Sequence, residues 1–91
     1  MKIHIPSALR RHTGGHPIAR IDRPGATVAS ALEALFEIHP GVRDRLLTEQ
    51  GRLRPHVALF VGSESIRYTG GFDTPVRAED EMTILPAVSG G

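Results

Sequence analysis

The chain has 91 residues and a formal net charge of +1, which allow one small domain with a single core. Hydrophobic residues at 40% and charged residues at 23% describe a folding chain rather than a disordered one. Eleven basic side chains nearly cancel ten acidic ones, so the basic excess of a nucleic-acid binder is missing, and the lack of cysteine excludes disulfides, thiolate metal sites and a cysteine nucleophile.

The amino-terminal MKIHIPSALRRHTGG has no apolar h-region, and no stretch approaches the ~20 apolar residues of a membrane span. A cytoplasmic protein with neither membrane nor nucleic-acid partners is the expectation. Lys2 to Pro6 alternates polar and apolar, which predicts a strand with Ile3 and Ile5 on one face and Lys2 and His4 on the other. Ser7 to His16 is expected as a connection reversed by Gly14 and Gly15, and Ile18 to Asp22 as a returning strand. Pro24 and Gly25 interrupt the chain, and Thr27 follows as an N-cap whose side-chain oxygen accepts from an otherwise orphaned amide.

From Val28 the period becomes helical. Val28, Ala31, Leu32, Leu35 and Ile38 share a stripe with Phe36 at its margin, while Ser30, Glu33 and Glu37 point away. His39, Pro40 and Gly41 stop this helix, and a short helical turn is expected around Val42 to Leu47. His56 to Val61 is the clearest strand, with Val57, Leu59 and Val61 facing the core and His56, Ala58 and Phe60 the other side. Gly62, Ser63 and Glu64 form a turn, Ser65 to Tyr68 is expected to pair back, and a loop from Thr69 runs through Asp73 and Pro75. Glu79, Asp80 and Glu81 make an acidic turn before a last strand, Met82 to Leu85, ended by Pro86. Two strands, a helix and three strands predict an α+β fold: a mixed sheet of about five strands with one main helix on one face. The first and last strands suit its centre, where Ile3, Ile5, Met82 and Ile84 supply the helix-facing side chains. Phe60 and Leu85 then fall on the open face, grouped as a partner-docking patch.

Residues 1–86 are thus assigned to the folded domain and residues 87–91 to a flexible C-terminal tail. Ala87, Val88, Ser89, Gly90 and Gly91 carry small or modest side chains, and five extended residues span roughly 17 Å. Glycines at the last two positions carry no β-carbon, so the tail suits a narrow channel in another protein. His12 and His16 supply too few ligands for zinc and straddle two glycines, so no metal site is expected. Arg10 and Arg11 are read as a solvated loop, and no catalytic triad is assigned.

Ile66 to Gly71, the acidic turn 79–81 and above all Ile84-Leu85-Pro86-Ala87-Val88-Ser89-Gly90-Gly91 resemble the ubiquitin-like β-grasp sulfur carriers of bacteria, the MoaD, ThiS and CysO types. The opening Ile5 to Gly15 is closer to the CysO type, which serves cysteine synthesis. The resemblance implies that Gly91 is the site of adenylation and thiocarboxylate formation, and that no residue needs to be removed after it. It implies an E1-like adenylyltransferase and sulfurtransferase as partner, using ATP and magnesium, with no cofactor bound by the chain itself. It further implies a sulfur-accepting enzyme, for the CysO type a pyridoxal-phosphate cysteine synthase, and a metalloprotease that releases cysteine. The chain is then a protein co-substrate and not an enzyme. Other readings stay open: a carrier for molybdopterin or another thiolated metabolite, a modifier joined to lysines through Gly91, and a non-covalent binding module that uses the open face.

Overall fold

The structure, a computed structural model, describes residues 1–86; the tail from Ala87 to Gly91 lies outside the described residues. Strand β1 (Lys2–His4) pairs antiparallel with β2 (Ile18–Arg20), placing Ile3 opposite Ala19. Pairing continues past the strand proper, because the Ile5 amide donates to the Pro17 carbonyl at 2.8 Å. The connection is more ordered than an irregular loop: Ser7–His12 is a 3-10 helix beginning after Pro6, and it closes over buried Thr13. The Thr13 hydroxyl lies 2.9 Å from the His16 carbonyl, which satisfies a polar group that burial would otherwise leave costly.

Helix α1 (Val28–Ile38) starts as the sequence predicts. Thr27 Oγ1 accepts from the Ser30 amide at 3.3 Å, and the Thr27 amide donates to Ser30 Oγ at 3.1 Å, a reciprocal capping box with serine at the third position. Ser30 Oγ also lies 2.6 Å from the Pro24 carbonyl. This arrangement explains Gly25: its φ is +77°, and a β-carbon there would collide with Ser30 Oγ. Val28, Ala31, Leu32 and Leu35 are buried as expected, but Ile38 is 55% exposed. It occupies the final turn, beyond the part of the stripe that the sheet covers. A 3-10 turn (Pro40–Val42) leads into the short helix α2 (Arg43–Leu46), which buries Val42 and Leu46.

Strand β3 (Val57–Val61) turns through Gly62 and Ser63 into β4 (Glu64–Ser65), and β5 (Glu81–Pro86) closes the sheet. The order is β2-β1-β5-β3-β4, with β1 and β5 parallel at the centre and the other neighbours antiparallel. Two expectations need correction. Of Ser65 to Tyr68 only Ser65 pairs back, together with Glu64, and Ile66–Tyr68 coils into a 3-10 turn that buries Ile66. Glu81 belongs to β5 rather than to the acidic turn, because it pairs with Lys2 across the parallel ladder. The core joins Ile3, Ile5, Leu59, Met82 and Ile84 of the sheet side to Val28, Ala31, Leu32 and Leu35 of α1. Its helix side is held down at the capped end, where the Val28 amide donates to the Thr74 carbonyl at 2.9 Å and the Val76 amide to the Ala26 carbonyl at 3.0 Å.

Candidate functional site

Because strand side chains alternate, the residues beside each core position must face the other way. Ile3, Leu59, Met82 and Ile84 are buried, whereas their neighbours Lys2, His4, Ala58, Phe60, Glu81, Thr83 and Leu85 are exposed or half-buried. Helix α1 covers only the core side, so these neighbours form an open face. Ala58 sits opposite Leu85 and Phe60 opposite Thr83 across the β3–β5 ladder. Phe60 and Leu85 therefore share that face as the sequence implies, on pairs separated along the ladder by Leu59–Ile84, and Phe60 is half-buried against 45% exposure for Leu85.

The face has two chemical halves. Its β3–β5 half is apolar, and its β1 side is charged. His4 Nε2 and Glu81 Oε1 lie 2.6 Å apart, joining the two parallel strands, with Lys2 opposite Glu81. The hydrogen bond to His4 is the main reason the Glu81 carboxyl is held below the usual range, with the charges of His4 and Lys2 adding to it and desolvation opposing it. Sequence alternation places His4 on the outer face, yet it carries no register between strands 77 residues apart, so this pair was not legible in advance.

Pro86 ends β5 opposite Val57, and the tail departs from this end of the sheet. The predicted adenylation residue Gly91 and the threading residues Ala87, Val88, Ser89 and Gly90 fall outside the described residues. Among the described residues no cluster of three histidines or carboxylates is arranged to hold a metal, and no helix is long and apolar enough to cross a membrane.

A five-stranded mixed sheet with a central parallel pair, one helix across one face and a tail leaving its central last strand defines a ubiquitin-like β-grasp protein. The ThiS family model matches residues 3–91, and the chain belongs to that family. It is 35% identical over 91 residues to the sulfur carrier protein CysO of Mycobacterium tuberculosis, covering 98% of this chain and 96% of that one. Its similarity to small archaeal modifier protein 1 of Haloferax volcanii is 33% over 78 residues, 85% of each chain. Among solved structures, the Amycolatopsis orientalis BexX/CysO complex contains a chain that superposes with a TM-score of 0.88 at 37% identity, covering 99% of this chain and 98% of that one. By family, the chain is a small carrier of the CysO, ThiS and archaeal-modifier type, a co-substrate and not a catalyst.

Proposed function

We propose that the chain carries sulfur as a thiocarboxylate on Gly91 and delivers it to cysteine synthesis. The observation that supports this most is the family match, which runs to residue 91 and so includes the Gly-Gly tail, together with full-length similarity to a CysO carrier. An α-carboxylate is ionised at neutral pH and resists nucleophiles. An E1-like enzyme would transfer AMP from ATP, with magnesium, to the Gly91 carboxylate and release pyrophosphate. Hydrosulfide or an equivalent sulfur donor then attacks the acyl carbon, AMP leaves, and a thiocarboxylate remains. A pyridoxal-phosphate cysteine synthase would be the sulfur acceptor, and a metalloprotease would release the cysteine formed on the tail.

The test is incubation of the purified chain with an E1-like enzyme, ATP and a sulfur donor, followed by intact mass measurement. The expected product is heavier by the exchange of one oxygen for sulfur; an unchanged mass with a competent enzyme contradicts the reading. Adding the cysteine synthase and its aminoacrylate-forming substrate identifies the pathway, since cysteine should then appear on the C-terminus.

A second reading, modification of proteins, is supported by the similarity to the archaeal modifier. It predicts an amide between Gly91 and a target lysine, visible as a branched Gly-Gly remnant after proteolysis. Lys2 is the only lysine in the sequence, and the α-amine of Met1 donates to the Ile21 carbonyl at 2.8 Å. Self-linked products would therefore branch at Lys2, and Lys2→Arg should remove that branch without affecting thiocarboxylate formation.

A further inference from the structure

The short β4 strand leaves part of β3 without a strand neighbour. β4 pairs with Phe60 and Val61 only, so among the described residues Val57 to Leu59 have β5 on one side and, on the other, no strand but the Ile66–Tyr68 turn. Along that side runs a groove of about 600 Å³. Leu53 and Phe72, both packed against the core, line it together with Val57, Phe60 and Tyr68. Tyr68 is 81% exposed, an unusual position for a large aromatic side chain without a partner.

The groove has one charged lining residue, Arg67. Among the described residues the ion pairs are His4 with Glu81 and Arg43 with Asp44, so Arg67 has no carboxylate partner there. Its position narrows the choice of occupant. Val57 lines the groove and pairs with Pro86, the residue from which the tail departs. Neighbouring strands are ~4.8 Å apart, whereas the five residues from Ala87 to Gly91 reach roughly 17 Å. An enzyme that holds Gly91 in its active site is therefore tethered within reach of this groove.

We propose that the groove seats an extended apolar segment of the adenylating enzyme, which runs beside Val57 to Leu59 and presents a carboxylate to Arg67. Insertion of apolar side chains between Tyr68 and Leu53 supplies affinity, and the carboxylate opposite Arg67 supplies specificity. This site lies at the outer edge of the sheet and, through Ala58 and Phe60, adjoins the open face on which Leu85 lies. The proposal rests on the reading of Gly91 as an adenylation site.

The experiment is ATP–pyrophosphate exchange by the E1-like enzyme, with the full chain as varied substrate and folding checked by thermal melting. Arg67→Glu and Tyr68→Ala alter exposed side chains. Each is expected to raise KM for the chain about tenfold, a loss of about 1.4 kcal/mol in binding, with kcat within about twofold, while Arg67→Lys stays close to the parent. Unchanged KM for both variants, with an active parent, overturns the groove and leaves the adenylation reading intact. A parent inert with a competent enzyme overturns that reading and the proposal with it. A dimer of the free chain that Tyr68→Ala abolishes would assign the groove to a second copy and overturn the proposal.

Discussion

The two faces of the β3–β5 ladder are built from adjacent residues and answer to different demands. Leu59 and Ile84 are opposite each other and buried beneath α1; one position along, Ala58 and Leu85 are opposite each other on the side that no helix covers. Stability is concentrated on the first face because it removes apolar surface from water at roughly 25 cal/mol per Å². The second keeps apolar surface in solvent, which is where a partner can use it. Substitutions one residue apart should therefore separate folding from recognition.

The largest effect expected is from neither face. Deleting Gly90 and Gly91 should abolish adenylation and thiocarboxylate formation while leaving the melting temperature unchanged, because no core residue is removed. A shortened chain that still gains the thiocarboxylate mass would show that the tail is not the acyl site. Leu59→Ala should lower unfolding free energy by about 2–5 kcal/mol, read by denaturant titration, with adenylation of the folded fraction unaltered. Phe60→Asp tests the other side: the fold should survive, and KM for adenylation should rise by about tenfold, equivalent to about 1.4 kcal/mol. Equal rates for Phe60→Asp and parent would count against both the open face and the outer groove, because Phe60 lines both.

The smallest effect concerns Glu81. Its carboxyl titrates below its ordinary value because His4 and Lys2 favour the charged form. A depressed carboxylate contributes stability at pH above its unfolded value, and that contribution is lost as pH falls through the folded value. Glu81→Gln should thus be slightly less stable than the parent near neutrality, and the two melting curves should converge in acid. A gap that stays constant down to the lowest pH would show that the pair adds nothing through titration.

Much of this architecture was legible because it depends on local spacing. The period of two in β1, β3 and β5 gives the buried face, the helical stripe from Val28 to Leu35 gives the packed side of α1, and Thr27 marks its start. Ile38 escaped because periodicity describes a direction around the helix and not how far along its axis the sheet extends. Ile66 to Tyr68 looked like a strand because isoleucine and tyrosine favour strands, but burying Ile66 in the 3-10 turn took precedence. That departure from pairing leaves room for the groove beside β3.

The candidate site divides in the same way. The Gly-Gly tail, the absence of any thiol and the apolar identity of Phe60 and Leu85 are properties of the sequence alone, and it is the family resemblance of the longer pattern that turns them into the expectation of a carrier. The contact between His4 and Glu81, the absence of a strand beside Val57 to Leu59 and the position of Arg67 at the groove were decided by tertiary structure. Local sequence dictates which way each side chain points along its own strand; only the packed sheet determines which strand lies next to it, and therefore which charges meet and which edge stays open.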